Sequence, residues 1–389
     1  MQLIDFNLVT LSENLPTLVA LVGALIWLLV LLMPWQPWRI REHFVSNCSD
    51  IKSIKSNHFD DLTVLIPARN EAGVIGKTLR SLGDQGAPIK VILVDDNSTD
   101  RTTEVAQREI PDNCNLIIVH GLPLPEGWVG KTWALEQGLS KIDTSLILLI
   151  DADINLGPRI VQSLMQYKKR HNIKFLSLMV ALDMEGLWQS ILIPSFIYFF
   201  KLLYPFRLSN SANRFVAAGA GGCILTEVSL LKKIGGFEAI RGAIIDDCSL
   251  ARQIKGIGHR TWIGLTRDAT SSRSYRKLGD IWQMVARSAY TQLQKSVMLL
   301  LLCSIIIFLM FVFPLVAVFA ADFVEAKLIG GIALIFMAIS FLPTLRYYKL
   351  PVWLVLVFPL AGLMFLAMTW TSAVNHWFNR RNLWKGRVY

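Results

Sequence analysis

Hydrophobic positions are continuous at both ends of the chain and alternate with polar ones in the middle. Residues 15–35 carry no charge and exceed the ~20 residues that a helix needs to cross a bilayer. Three more uncharged apolar runs follow near the C-terminus, at residues 297–321, 328–345 and 350–374. The pattern predicts an N-terminal membrane anchor and juxtamembrane segment over residues 1–49, a globular domain over 50–296, and a transmembrane bundle with a basic tail over 297–389.

The charges beside these runs predict an orientation. Trp38, Arg39 and Arg41 follow the first run, which is typical of an interfacial aromatic belt with positive charge on the cytoplasmic side. The basic globular domain and the basic tail should both face the cytoplasm by the same rule, but three crossings between them would separate them. One resolution is that residues 328–345, the shortest run, enter the membrane without crossing.

A further apolar stretch, residues 186–206, lies inside the middle region. It is interrupted by Pro194 and carries Lys201. We favour an interfacial helix that brings the globular domain to lipid, with a buried core segment or an additional span as alternatives.

Short β-branched runs alternate with helix-periodic stretches in the middle region. Strands are predicted at residues 61–67, 90–95, 115–119 and 146–150, and helices at residues 71–82, 99–109 and 131–141. This βαβ order predicts an α/β domain with a mostly parallel sheet. Ligands bind such sheets at the carboxyl ends of the strands.

Composition narrows the class of protein. Hydrophobic residues make up 53% of the 389-residue chain and charged residues only 17%, which argues against a disordered chain, a fibrous repeat or a simple cytosolic enzyme. The formal charge of +10 suits a phosphate-rich partner or an anionic membrane surface. The 5 cysteines show no CxxC spacing, so the sequence indicates neither a disulfide framework nor a structural zinc site.

Acidic residues follow the predicted strands. Asp95 and Asp96 end the second strand, and Asp151 and Asp153 follow the fourth. Two carboxylates two positions apart in extended chain could share one hard divalent cation, and oxygen ligands favour Mg²⁺ or Mn²⁺. A turn or helix-cap pair is the alternative.

Several motifs occur together in one order: LTVLIPARNEA, VILVDDNSTD, GKTWAL, LLIDADIN and AIIDDCSLARQI. Together they resemble glycosyltransferase family 2, over roughly residues 62–287, which implies the GT-A fold. The phrases PLPEGWVGKTWAL and LWKGRVY resemble the hopanoid-associated (HpnB-like) membrane glycosyltransferases, with carotenoid glycosyltransferases as close alternatives.

The resemblance assigns roles to individual residues. It implies a metal site of Asp151 and Asp153 for Mg²⁺ or Mn²⁺, with Asp247 as the catalytic base and Asp246 beside it shaping the acceptor pocket or raising the pKa of its partner. The nucleotide-sugar site would comprise Pro67, Arg69, Glu71, Asp95, Asp96, Lys131, Asp151, Gly221 and Arg287.

The region after Asp247 departs from the processive polysaccharide synthases. Gln283 and Arg287 are four residues apart and no Trp follows the arginine, so the aromatic acceptor platform of those enzymes is missing. Nearby, the basic residues Arg267, Arg273, Arg276 and Lys277 suggest a loop that faces phosphate or the membrane surface, with simple solvation as the alternative.

The sequence thus predicts an inverting, metal-dependent glycosyltransferase of the bacterial inner membrane with a cytoplasmic catalytic domain. It would move a single sugar from a nucleotide sugar, a UDP-sugar in first place, to a hopanoid, carotenoid or other lipid hydroxyl, with no nucleic-acid partner. A processive polysaccharide synthase and a non-catalytic transporter or scaffold are the alternatives.

Overall fold

The computed structural model describes residues 2–46, 59–378, 383–384 and 387–388. The chain forms two compact units. The helical unit comprises Met1–Arg41, Met184–Pro205 and Tyr275–Asn382, and the sheet unit comprises Glu42–Asp183, Phe206–Ser274 and Leu383–Tyr389. This division groups residues 186–205 and 275–296 with the apolar helices, whereas the sequence-based boundaries placed both segments in the globular domain.

The strands of the sheet unit are β1 (His43–Phe44), β2 (Leu62–Ala68), β3 (Ile89–Asp95), β4 (Cys114–His120), β5 (Leu146–Ile150), β6 (Ile154–Leu156), β7 (Phe175–Ala181), β8 (Cys223–Glu227), β9 (Thr261–Ser271), β10 (Leu383–Trp384) and β11 (Arg387–Val388). Its helices are α2 (Ile75–Gly83), α3 (Thr102–Glu109), α4 (Gly130–Leu139), α5 (Ile160–Arg170), α7 (Phe206–Ser209), α8 (Val228–Lys233) and α9 (Asp246–Gly256). The four predicted strands are confirmed as β2 to β5. Helix α3 begins later than predicted because the carboxylate of Asp100 accepts from the backbone of Thr102 and forms a turn first.

Strands β1 to β9 form one mixed sheet in the order β1-β9-β7-β8-β5-β2-β3-β4, with β6 paired to β9. Strand β2 lies parallel to β3 and β5, so the ends of all three meet at one edge. Strand β8 is antiparallel to both β5 and β7. The prediction of an α/β domain with a mostly parallel sheet is confirmed.

The sheet separates two hydrophobic cores because side chains alternate along each strand. Val64 and Ile66 of β2 pack with Leu79 of α2 on one face. Leu65 packs with Leu135 of α4 on the other face. Every residue of β2 is buried, as expected for a central strand covered by helices on both sides. The site at the end of this strand therefore stands on a rigid base.

The helices of the helical unit are α1 (Gln2–Leu32), α6 (Leu187–Leu203), α10 (Leu278–Ala286), α11 (Ala289–Gln292), α12 (Val297–Ile307), α13 (Phe313–Ala320), α14 (Val324–Tyr347) and α15 (Phe358–Trp377). Among the described residues, 4 segments are long and apolar enough to cross a membrane: Leu15–Leu32, Val297–Ala320, Val324–Tyr347 and Val352–Trp377. Helix α14 is continuous through Gly330 and Pro343, so the shortest predicted run shows no re-entrant break.

Helix α6 packs inside the helical unit. The Tyr198 hydroxyl lies 2.9 Å from the Ser340 hydroxyl of α14, and its ring stands edge-on to Phe341 and Phe358. Residues Ile197 and Tyr198 are buried by these contacts. An interfacial position for this helix stays a prediction.

Candidate active site

A small cleft lies at the carboxyl ends of β2 and β5. Leu149 and Ile150 of β5 and Phe237 form part of its apolar wall. Its polar lining is supplied by Lys131, Asp151, Asp246 and Asp247, and Pro67 and Gly221 complete the same opening. Six residues that the sequence assigned to chemistry therefore share one cleft.

Lys131 lies among three of these carboxylates. Its Nζ is 2.8 Å from Asp151 Oδ1 and 3.2 Å from Asp246 Oδ2. The negative charge of Asp247 also raises the pKa of Lys131. We call Lys131, Asp151, Asp246 and Asp247 the lysine cluster. One ammonium group thus stands against three carboxylates in a partly buried site.

Local structure brings this cluster together. Helix α4 starts where the backbone N–H of Val129 and the hydroxyl of Thr132 both donate to the Arg241 carbonyl. These two hydrogen bonds hold the start of α4 beside the segment that leads into α9. The first residue of α9 is Asp246. Carboxylates are favoured in the first turn of a helix, whereas a lysine there is disfavoured. The position of Lys131 in α4 is therefore explained by its ion pairs.

The cluster shifts the acidity of its members. Burial by itself lowers the pKa of Lys131, but Asp151, Asp246 and Asp247 outweigh burial and raise it, so the ammonium stays charged. Burial raises the pKa of Asp151, which Lys131 partly offsets. Burial and then the charge of Asp246 raise the pKa of Asp247 to about 7. At neutral pH, both the protonated and the ionised form of Asp247 are therefore populated.

The backbone approaches the lysine cluster closely at Gly221. A Cβ at this position would lie 2.9 Å from Lys131 Nζ, 3.6 Å from Asp247 Oδ2 and 3.8 Å from Asp151 Oδ2. At Gly219, a Cβ would lie 2.6 Å from the backbone oxygen of Asp247. Gly219 requires glycine because a side chain would collide with the backbone, whereas a side chain at Gly221 would displace the end of Lys131.

A second cluster lies around Arg273, two residues after β9. Its Nη2 is 2.7 Å from Glu71 Oε1 and its Nε is 3.7 Å from Asp153 Oδ2. The Ser271 hydroxyl also donates to Asp153 Oδ2. We call Arg273, Glu71, Asp153 and Ser271 the arginine cluster. Glu71 and Asp153 are both buried, and the arginine supplies the positive charge that buried carboxylates need.

The segments after β2 and β3 are tied to each other. Arg69 Nη1 donates to the carbonyl oxygens of Asp96 and Asn97, and the Asn70 backbone donates to the Ser98 hydroxyl at 3.0 Å. Asp95 Oδ1 accepts from the Ser98 backbone at 3.2 Å. Asp96 is fully buried. These bonds hold the predicted nucleotide-binding residues of two strands at one edge of the sheet.

The structure thus distributes the sequence-predicted residues over three neighbouring places of the sheet unit. Arg287 lies elsewhere, in the helical unit directly after α10, and its contact with a diphosphate stays a prediction. Sequence reasoning missed the ion pairs of Arg273 and the bond from Ser271. The available signal was weak: a basic stretch that suits phosphate, membrane or water equally well.

The metal prediction can be compared with the geometry. Among the residues that the structure describes, no group of three or more His, Cys, Asp or Glu is placed to hold a metal ion. Asp151 and Asp153 also have different cationic partners. The donor set nevertheless fits Mg²⁺ or Mn²⁺, because such ions commonly use one or two carboxylates and take their other ligands from water and substrate phosphates. The shared site therefore stays a prediction that the residues accommodate.

Known proteins resemble this architecture. Residues 63–235 match the family model described as glycosyl transferase family 2. This part of the chain is therefore similar to glycosyl transferase family 2. The matched range runs from β2 through α8 and includes Lys131, Asp151 and Asp153. The pair Asp246 and Asp247 lies beyond it, as does Arg273.

Among curated relatives, the 4,4'-diaponeurosporenoate glycosyltransferase of Staphylococcus aureus (strain USA300) is 38% identical over 104 residues, which cover 26% of this chain and 26% of that protein. The chain therefore spans about a quarter of the length of the curated relatives it matches. Among solved structures, the mannosyltransferase PcManGT from Pyrobaculum calidifontis, in complex with GDP-Man and Mn²⁺, aligns with a TM-score of 0.50 at 17% identity, covering 95% of this chain and 97% of that one. At this identity the likeness shows the fold alone, and it confirms the predicted GT-A-like fold.

Proposed function

We propose that the protein is an inverting, divalent-cation-dependent glycosyltransferase that moves one sugar from a nucleotide sugar to a membrane lipid. The observation that carries this proposal is the lysine cluster, in which Asp247 has a pKa of about 7 in a cleft at the carboxyl ends of the strands. A carboxylate with a pKa near the working pH is suited to act as a general base. The curated relative named for a carotenoid acid supports a lipid-like acceptor.

The proposed reaction follows from this geometry. The acceptor hydroxyl gives its proton to Asp247 while its oxygen forms a bond to the anomeric carbon of the sugar. The bond from that carbon to the diphosphate breaks, and its electron pair leaves with the diphosphate. A single displacement of this kind inverts the anomeric centre. Asp246 contributes by raising the pKa of Asp247, and Lys131 keeps the cluster from accumulating unbalanced negative charge.

Asp151 and Asp153 would hold the cation, which stabilises negative charge on the leaving diphosphate as a Lewis acid. Pro67 at the cleft and the joined turns bearing Arg69, Asp95 and Asp96 would bind the nucleoside. A UDP-sugar is the first choice of donor, with Mg²⁺ or Mn²⁺ as the ion.

The proposed acceptor is a hopanoid, a carotenoid or another lipid hydroxyl. The 4 apolar segments support a site next to a bilayer, and the basic flanks support a cytoplasmic sheet unit at the inner membrane of a bacterial cell. Transfer of a single sugar is favoured over chain extension because no Trp follows Arg287.

The test is nucleotide release by the detergent-purified full chain from a panel of UDP- and GDP-sugars, with total membrane lipid as acceptor and with Mn²⁺, Mg²⁺ or chelator. We expect metal-dependent release from one donor, strongly reduced in both Asp153→Asn and Asp247→Asn. A product that lengthens with time would instead indicate a polysaccharide synthase. No release from any donor would favour a non-catalytic membrane protein.

A further inference from the structure

Arg273 is placed to meet an incoming anion. Its guanidinium contacts Glu71 Oε1 at 2.7 Å and approaches Asp153 Oδ2 at 3.7 Å. The two carboxylate side chains retain only 9% and 11% of their exposure, whereas the Arg273 side chain retains 35%. The Arg273 side chain therefore covers two buried carboxylates and is itself partly reachable from solvent. Its fork of N–H donors matches the oxygens of a phosphate group.

The backbone around Arg273 is fixed to Asp153. The Ser272 backbone N–H donates to the Asp153 carbonyl at 2.7 Å. The Ser271 hydroxyl accepts from the Arg273 backbone at 3.1 Å and donates to the Asp153 carboxylate. The Cα of Arg273 is thus held in place, and a change of partner requires rotation of the side chain alone.

The same carboxylate is needed by two cations. Asp153 is a predicted ligand of the divalent ion, and Arg273 already neutralises part of its charge. A divalent ion on Asp153 would be a second positive charge beside the guanidinium, which disfavours its binding when nothing else is present. A bound diphosphate would instead favour binding of the divalent ion, because its oxygens can contact the ion and the guanidinium at the same time.

We propose that Arg273 couples cation binding to donor binding: it neutralises Asp153 when the donor site is empty and contacts the diphosphate of the donor when the cation is bound. This inference rests on the proposed function, since it assumes a nucleotide diphosphate as the ligand. Coupling of this kind is reciprocal, so the nucleotide strengthens Mn²⁺ binding by the same factor by which Mn²⁺ strengthens nucleotide binding. The device disfavours cation occupancy in the absence of donor.

The experiment measures Mn²⁺ binding by electron paramagnetic resonance on the detergent-purified full chain, without nucleotide and with saturating UDP or GDP. Wild type is compared with Arg273→Gln, and with Arg170→Gln as a matched control at an exposed position at the end of α5. In Arg273→Gln we expect Mn²⁺ alone to bind at least about threefold tighter and the enhancement by nucleotide to fall by about fivefold or more. Arg170→Gln should reproduce both wild-type values.

A further variant separates the effect of the positive charge of Arg273 from that of its forked guanidinium group. Arg273→Lys keeps the positive charge but loses the fork, so Mn²⁺ alone should bind as in wild type while the enhancement by nucleotide falls. Thermal melting of each variant shows whether it is folded, and Arg273→Lys serves as the test if Arg273→Gln is not.

Two results would overturn the inference. One is Mn²⁺ binding without nucleotide that is equal, weaker or undetectable in Arg273→Gln relative to wild type. The other is equal nucleotide enhancement in wild type and Arg273→Lys. Either result would leave the proposed transfer standing if wild type still releases nucleotide from a donor. Failure of wild type to release nucleotide would count against the transfer itself.

Discussion

The lysine cluster and the arginine cluster both pair a cation with buried carboxylates, but they differ in how far negative charge exceeds positive charge. Lys131 faces Asp151 and Asp246 in direct contact, with Asp247 beside them, so negative charge is in excess. Arg273 pairs with two carboxylates, those of Glu71 and Asp153, so the excess of negative charge among these groups is smaller. Excess negative charge and burial raise the pKa of Asp247 to about 7. The first cluster therefore suits proton transfer, and the second would suit an anion once a divalent cation is added.

The two clusters are joined through one short segment. Asp151 belongs to the lysine cluster and Asp153 to the arginine cluster, although only Ala152 separates them. A chain that turns at this point directs the two carboxylates toward different cations. The motif that resembles a simple metal site thereby links the proposed donor site to the proposed base.

Removing the base should have the largest effect and should affect the lysine cluster alone. In Asp247→Asn we expect kcat to fall by about 10²- to 10⁴-fold, because an amide cannot accept the proton of the acceptor. The KM for the donor should change little. Steady-state nucleotide release measures both quantities, with Glu104→Gln, an exposed carboxylate, as the control. A large rise in donor KM would assign Asp247 to donor binding instead.

Substitution of Asp153 in the arginine cluster should weaken binding of the cation and of the donor. In Asp153→Asn, or with chelator on wild type, we expect roughly a hundredfold loss of activity, because stabilisation of the leaving diphosphate is worth several kcal/mol. Excess Mn²⁺ should restore part of the activity of Asp153→Asn. Full activity in the presence of chelator would contradict a role for the cation.

The pH dependence of kcat should report on the lysine cluster, which contains the proposed base. Asp247 acts only when ionised, so wild-type kcat should rise as the pH increases through about 7. Lys131 lowers the pKa of Asp247, so in Lys131→Met that pKa should be higher and the rise should occur at higher pH. A shift of one unit above 7 would lower the ionised fraction of Asp247, and with it kcat at pH 7, by about fivefold. A pH profile of kcat measures the shift, and an unchanged midpoint would disprove the coupling.

A control for the lysine substitution is Lys77→Met, which removes an exposed lysine from α2. Its pH profile should match that of wild type. A common shift in both variants would point to a general change in the charge of the protein.

The smallest effect is expected for Gly221→Ala. The added Cβ would lie 2.9 Å from Lys131 Nζ, the movable end of a flexible side chain, so the lysine should shift and kcat should fall only a few fold. Gly256→Ala is the matched control, since its Cβ would meet nothing within 4 Å. Equal activity in both variants would show that the cluster tolerates displacement of Lys131.

Four strands of the sheet could be predicted from the sequence, because the pattern that indicates each of them lies within a short stretch of chain. Strands β2 to β5 are short apolar runs, each with polar residues directly behind it, so Asp95, Asp151 and their neighbours could be placed at one edge. Strands β7, β8 and β9 were missed. The long apolar helix α6 lies between β7 and β8 in the sequence but belongs to the helical unit, so chain order gives no hint that these strands are neighbours.

The sequence by itself determined the apolar segments, the α/β class and the acidic residues that carry the proposed chemistry, because each depends on composition or spacing within a short stretch. Only the tertiary structure decided which charge faces which. Arg273 reaches Glu71 across 202 positions of sequence, and it does so because β9 returns beside β6 and carries the arginine to Asp153. Coulomb interactions depend on distance in space, and a pairing across such a separation leaves no periodic signal in the chain.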